Sequence, residues 1–314
     1  MNNNPNFPQP MGPLSVGNVA SAALRLYRDR FKPYFGVSFR ASLWSIFPFI
    51  VLIPLAVIFG LLAGNDQPNV GILLLIIPVW LVFGTYCWSH ALKNAALISR
   101  LAFKELINQP ETVQQARKNI SKLWSFFWLQ FLVNLIMFVI SLLLSMAQGL
   151  VIGLPASLIK GGFAAFLILV GYLLYYVAYF WFYARFFISE TPFVIEENST
   201  VSQAIGRSWT LTKGFVGRIL LIITVAILIT IPVYLLALIP IFSLIPILSL
   251  IDQNDPTQMM ILGGRIVFSI LGSFLLFLLL NIAALPFWQI VKGVVYYDLC
   301  ARKEGLGLDL NDSL

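Results

Sequence analysis

The residues that could carry chemistry are few, and nearly all of them interrupt or border long apolar runs. His90, Lys93 and Asn94 close a run that begins after Asp66, Asn134 and Asn281 lie deep inside two others, and Arg185 and Glu190 stand five residues apart at the end of a fourth, with Pro192 following. A charged or strongly polar side chain in such surroundings is costly unless it is paired, hydrogen-bonded or turned toward water, so these are the candidate functional positions. Each type suggests a use. A histidine beside a lysine can relay protons, or the two can let a helix end reach water. Buried asparagines form hydrogen bonds between membrane helices worth about 0.6–2 kcal/mol. Arg185 and Glu190 can pair with each other, or with Lys213 or Arg218, and so clamp the following loop to the helix ends. Tyr172, Tyr175, Tyr176, Tyr179, Trp181 and Tyr183 can line a lipid groove or form an interfacial aromatic belt.

Nothing in the sequence resembles a catalytic set. One histidine excludes a multi-histidine metal site, and the two cysteines, Cys87 and Cys300, form no CxxC pair. Gly161-Gly162 and Gly263-Gly264 open apolar runs and match no phosphate loop. The expectation is therefore no catalytic residues, no metal and no cofactor.

The elements that position these residues follow from composition. The chain has 314 residues, 59% hydrophobic and 11% charged, with a mean hydropathy of +0.88. A soluble domain carries about 25% charged residues, so much of this surface must face lipid. Charges divide the chain into apolar runs of 20 residues and more, enough for a helix to cross a bilayer core of about 30 Å. The run from Leu123 to Ile159 is too long for one upright crossing and is expected to break at Gly153 and Pro155; the run from Ile219 to Ile251 has Pro232, Pro240 and Pro246 as places to bend. The sequence predicts six transmembrane helices, at about 41–63, 72–95, 124–147, 163–187, 217–240 and 266–290. Barrel strands would alternate apolar and polar residues, which these runs do not. With six crossings, all basic residues except Lys160 and Arg265 fall on the side of both termini, which the positive-inside rule makes cytoplasmic. The same distribution accounts for the net charge of +7 without a nucleic-acid partner.

Three segments begin alike: Ser15-Val16-Gly17-Asn18, Thr112-Val113-Gln114-Gln115 and Thr200-Val201-Ser202-Gln203. Ser or Thr followed three residues later by Gln is a capping-box helix start, weaker in the first copy, which has Asn18. Val16, Val19, Ala23, Leu26 and Tyr27 share one helix face, and Val113, Ala116, Ile120, Leu123 and Trp124 repeat the same offsets. Arg25, Arg28 and Asp29, then Arg117, Lys118 and Lys122, occupy the opposite face. Ala204, Ile205, Trp209 and Leu211 oppose Arg207 and Lys213 in the third copy. Such helices lie at the cytoplasmic interface, their apolar faces on lipid or on the protein, with cations toward anionic headgroups.

Two stretches carry a family resemblance. Thr191-Pro192-Phe193-Val194-Ile195-Glu196-Glu197-Asn198, with Ser208-Trp209-Thr210-Leu211-Thr212-Lys213-Gly214, and the tail Tyr296-Tyr297-Asp298-Leu299, Arg302-Lys303-Glu304-Gly305 and Leu308-Asp309-Leu310, resemble the bacterial family named for the membrane domain of glycerophosphoryl diester phosphodiesterase. The resemblance implies a multi-pass protein of the bacterial inner membrane. It does not extend to the enzyme: no extra-membrane stretch approaches the roughly 250 residues of a catalytic barrel, and one histidine cannot supply its paired histidines.

The expected fold is thus an all-α integral membrane protein with six transmembrane helices in three parallel repeats, each an interfacial amphipathic helix plus a helical hairpin. The units are about 15–108, 112–198 and 200–305, within one polytopic domain over 14–314 that follows a disordered tail at 1–13. The expected function is a non-enzymatic scaffold or auxiliary subunit that organises anionic lipid or partner proteins at the cytoplasmic face. The alternative is a transporter or lipid-handling protein with a cavity between the helices.

Overall fold

The computed structural model describes residues 12–63, 70–120, 123–159, 161–248 and 255–305. The expected disordered tail, apart from Gly12 and Pro13, lies outside the described residues, as do Lys122 of the second amphipathic segment and Leu308-Asp309-Leu310 of the tail motif. The described residues are all helical or connecting, with no strand among them.

All three capped starts open helices. Ser15 accepts a hydrogen bond from the Asn18 backbone N–H and opens α1 (Val16–Asp29). A short step at Arg30 leads into α2 (Phe31–Ala63), which returns through α3 (Val70–Leu106). Thr112 and Gln115 form a reciprocal capping box at the start of α4 (Val113–Asn119), followed by α5 (Leu123–Gln148), a π-helical turn (Gly149–Gly153), α6 (Leu154–Leu158) and α7 (Gly162–Phe186). After α8 (Glu190–Ile195), Thr200 and Gln203 form the same box at the start of α9 (Val201–Thr212). The chain then runs through α10 (Val216–Leu235), a 3-10 turn, α11 (Ile239–Phe242) and α12 (Ile245–Leu248) to α13 (Pro256–Glu304).

Five stretches are long and apolar enough to cross a membrane: Phe31–Leu52, Leu123–Gly153, Gly162–Ile195, Val216–Phe242 and Pro256–Glu304. By composition and helix length the chain is a polytopic helical membrane protein. Several expected boundaries are corrected. α2 starts ten residues before the expected span and α3 continues eleven residues past its end. The last helix is 49 residues, about 74 Å at about 1.5 Å per residue, rather than a single crossing. The expected break at Gly153 and Pro155 is absent, because a π turn carries the helical path past it; the chain turns instead before α7, where Gly161 has φ +94°. α4 ends at Asn119, so Leu123 and Trp124 belong to the next helix and not to the amphipathic one.

These extensions exist because tertiary contacts stabilise helix where the apolar run stops. The core sits at the basic end: Val19, Ala23 and Leu26 of α1, Ala96 to Ala102 of α3, Ala184 and Ile188, and Ile290 to Ala301 of α13 are buried there. Pro286 lies inside α13 and lacks the N–H that the Ile282 carbonyl would accept. The Ser38 hydroxyl donates to that carbonyl at 2.6 Å and Tyr27 OH donates to the Ala283 carbonyl at 2.8 Å, so the helix passes the proline with its backbone satisfied. Away from this end, α5 and α7 leave much of their apolar surface exposed, with Phe138 63% and Leu169 67% accessible.

The three hairpins close on one another. α3 packs on α5, α7 on α10, and α13 on α2 and α3. The capped helices cross these joints: α1 packs on α10 and α13, α4 on α3, and α9 on α5 and α7. Their apolar faces are therefore protein-facing, with Val19, Ala23, Ala116 and Ala204 fully enclosed.

The tightest joint is at Gly293, where an added Cβ would lie 2.6 Å from the Ser99 carbonyl oxygen of α3. Gly293→Ala is expected to lose about 1–3 kcal/mol, read as a lower thermal-unfolding midpoint of the purified protein in detergent. Gly272→Ala on the same helix, whose methyl would meet only Pro240 side-chain carbons at 3.6 Å, should change the midpoint little. Equal midpoints for the two variants would contradict the close approach.

Candidate functional site

The structure gathers four of the sequence-derived candidates, His90, Lys93, Asn94 and Asn134, along one junction, between α2, α3 and the segment formed by α4 and α5. At its basic end lies a cavity of about 290 Å³ lined by Arg40, Trp44, His90, Lys93, Asn94, Leu97 and Arg117. Arg40 and Trp44 are one turn apart on α2; His90, Lys93, Asn94 and Leu97 recur at helical spacing on α3; Arg117 comes from the polar face of α4. Aromatic packing holds the wall. Trp44 stacks on His90 with ring centroids 4.4 Å apart, and Tyr86 meets the same imidazole edge-on at 4.7 Å. Asn94 donates to the His90 carbonyl at 2.7 Å and accepts from Arg117 at 2.9 Å, which orients the guanidinium at the cavity.

The electrostatics of this cavity are one-sided. Among the described residues no carboxylate lies within 4.0 Å of Arg40, Lys93 or Arg117, whereas Arg30, Arg100, Arg207, Arg218 and Lys292 all have acidic partners. Burial and the neighbouring Arg40 charge lower the Arg117 pKa from its usual value, although a guanidinium stays charged in proteins. His90 Nε2 is buried without a hydrogen-bond partner. Three cations converging without a counter-charge can hold an anion, and Arg117 offers a fork suited to phosphate or carboxylate oxygens.

Farther along the same helices a second cavity of about 360 Å³ lies between α2, α3 and α5, walled by groups such as Pro48, Phe49, Trp88, Phe127 and Phe131. Trp80 Nε1 donates to the Pro48 carbonyl at 3.0 Å across the α2–α3 hairpin. Asn134 lines this cavity, and Gln130 donates to it at 3.3 Å along α5, so its hydrogen bond is within its own helix rather than between helices.

The other candidates belong elsewhere. Arg185 and Glu190 do not pair, and neither pairs with Lys213 or Arg218. Glu190 is buried and holds Lys292 of α13 at 2.5 Å, while Arg218 is drawn to Asp298 at 3.0 Å. The reason is the length of α13, which brings Lys292 and Asp298 alongside the loop where a shorter helix would have ended. Arg185 is enclosed between α7 and α9, its guanidinium 4.0 Å from the Trp209 ring centroid, with a 3.3 Å contact to Thr212 Oγ1. Asn281 is half-buried on α13 and lines neither cavity. Of the aromatics, Tyr172, Tyr176, Trp181 and Tyr183 are exposed on α7, and Tyr175 shares a 2.7 Å hydrogen bond with Ser141.

Three polar contacts escaped the sequence reading. Asp298, 1% exposed, accepts from the Leu14 backbone N–H, Arg218 and Arg302, and both arginines also donate to the Leu14 carbonyl. Arg207 bridges Glu196 and Glu304, and Tyr296 OH donates to Glu196 at 2.7 Å; the hydrogen bonds Arg207 donates to Glu304 and then to Glu196 push its pKa up. Arg100 donates to both oxygens of Glu111 at 2.8 Å and to the Val194 carbonyl, fixing α8. The motif character of the 191–198 and 296–304 stretches was the available signal for one of them, since Tyr296 and the Arg207 bridge to Glu304 tie Glu196 of the first stretch to the second. Among the described residues no cluster of histidine, cysteine and carboxylates could hold a metal ion.

The Arg100 hydrogen bonds hold the Glu111 carboxyl below its usual value of 4.5. A depressed folded pKa means the pair stabilises the protein fully above the unfolded value, and the contribution fades as pH falls through the folded one. Glu111→Gln is expected to cost about 1–2 kcal/mol at pH 7, with the gap to the parent closing below about pH 4 in detergent unfolding. A gap that is constant with pH would refute this assignment.

Comparisons with protein-family models, curated proteins and solved structures found no match, so the functional reading rests on the chain's own residues.

Proposed function

We propose that this protein is a non-enzymatic membrane scaffold that binds and organises anionic lipid at its basic, cytoplasmic face. The carrying observation is the cavity of Arg40, Lys93 and Arg117, whose charge the described residues leave unanswered, in a protein whose other buried or half-buried cations are mostly paired. Juxtamembrane cations contribute about 1 kcal/mol each toward anionic lipid. In this reading α3 is a sixth crossing beside the five long apolar stretches, and both termini are cytoplasmic. The three units form a parallel repeat. Two reciprocal capping boxes and a third N-cap support the repeat, as does the pattern in which each capped helix sits on a neighbouring hairpin. The resemblance to the bacterial family of the phosphodiesterase membrane domain belongs to the same proposal, without its phosphodiesterase activity and with placement in the inner membrane. Protein partners at the basic face remain part of it.

A lipid-handling role is the second reading, and the apolar cavity between α2, α3 and α5 favours it. Lipid moved by the protein would pass this cavity, whereas lipid that only anchors it would stay.

The full chain reconstituted in bilayers containing an anionic phospholipid is expected to unfold several degrees higher than in purely zwitterionic ones, with the difference shrinking as salt is raised. Identical midpoints in the two bilayers would remove the lipid-organising reading.

A further inference from the structure

We infer that the junction between α2, α3 and the α4–α5 segment is a binding site for one anionic glycerophospholipid, its phosphate among Arg40, Lys93 and Arg117 and an acyl chain in the apolar cavity of Phe49, Trp88 and Phe131. The inference rests on the proposed lipid-organising role and gives it an address. Three observations carry it. First, the cations come from three separate helices and converge on one cavity, while the described lining contains no carboxylate. Arg25 and Arg28, exposed on α1, line neither cavity. Second, the cavity is built rather than incidental. Asn94 positions Arg117, the Trp44–His90 stack makes a rigid wall, and His90 Nε2 is a buried nitrogen without a partner. Third, the chemistry changes with depth along the same helices. From Arg40 and Trp44 to Pro48 and Phe49 on α2, and from Lys93 to Trp88 on α3, the lining passes from cationic to apolar within about two turns. Gln130 and Asn134 add a pair of amide groups to the otherwise largely apolar deeper cavity.

A free inorganic anion would use only the cationic cavity, and a fatty chain alone only the deeper one. A phospholipid uses both. The absence of a described carboxylate also sets selectivity, because a choline or ethanolamine headgroup brings an ammonium toward three positive charges with nothing to receive it.

The test uses the full chain purified in mild detergent, with phosphatidylglycerol and phosphatidylcholine as probes and bound lipid counted by native mass spectrometry. The parent protein should retain one phosphatidylglycerol through detergent exchange and show at least about tenfold weaker retention of phosphatidylcholine. Arg40→Gln, an exposed position whose loss does not threaten folding, should weaken phosphatidylglycerol about fivefold, and Arg40→Gln/Lys93→Gln/Arg117→Gln about a hundredfold. The control Arg25→Gln/Lys32→Gln/Lys118→Gln removes three exposed cations outside the cavity and should leave retention unchanged. If the parent holds anionic lipid and Arg40→Gln and the triple variant hold it equally well, this site is wrong while the lipid-organising role stands. If the parent shows no preference between the two lipids, both fall. Displacement of the lipid by millimolar inorganic phosphate would instead identify a free-anion site and overturn the assignment to phospholipid.

Discussion

Where α13 crosses α3, the backbone of Gly293 comes so near the Ser99 carbonyl that no side chain fits between them. Two helices this close exclude water along the contact and bring their neighbours with them, which is how small residues act at membrane-helix joints. The crossing lies toward the charged ends of both helices, so it makes a core at the basic end of the protein. It requires α13 to remain helical past Pro286, and the Ser38 and Tyr27 hydroxyls supply the hydrogen bonds that make this possible. With α13 held there, Lys292, Tyr296, Asp298 and Arg302 reach two acids, a cation and a carbonyl elsewhere in the chain. Glu190, Glu196, Arg218 and the segment before α1 are all anchored to this one helix.

The arrangement of the capped helices follows from the same crowding. A short amphipathic helix cannot bury its apolar face within its own hairpin, and in this fold it lies across a neighbour instead: α1 on α10 and α13, α4 on α3, α9 on α5 and α7. Of the three, α4 carries Arg117 of its polar face to a joint between hairpins, whereas Arg25 and Arg28 of α1 are exposed. At the α7–α9 joint an aromatic residue closes over the cation, with Trp209 on Arg185. At the α3–α4 joint Arg117 arrives opposite Arg40 and Lys93 with no aromatic cover of that kind, and a cavity remains. The contrast is between a cation covered by an aromatic ring and one that faces a cavity.

Much of the helical layout is readable in the chain because its causes are local. Thr112-x-x-Gln115 and Thr200-x-x-Gln203 satisfy their own first turns, and the caps form where the spacing places them. The limits of α5 and α7 fall within a residue or two of the expected spans, since few of the residues in those helices are buried against the rest of the protein. The ends of α3 and α13 could not be read this way. Residues 95–106 and 291–304 look like charged connecting sequence, and only contact with each other makes them buried helix. The candidate site was half legible for a related reason. His90 and Lys93 announce themselves at the end of an apolar run, but Arg40 and Arg117 look like ordinary flanking cations until three helices bring them together.

The sequence by itself determined the membrane class, the helical content and the capped starts, because hydropathy, periodicity and first-turn hydrogen bonds act over a few residues. Only the tertiary structure decided the partners: Glu190 with Lys292 rather than Arg185, Arg218 with Asp298, and Arg40, Lys93 and Arg117 around one cavity. Pairing in a low-dielectric interior depends on distances of a few ångströms between residues far apart in the chain, and those distances are set by how closely the helices can pack.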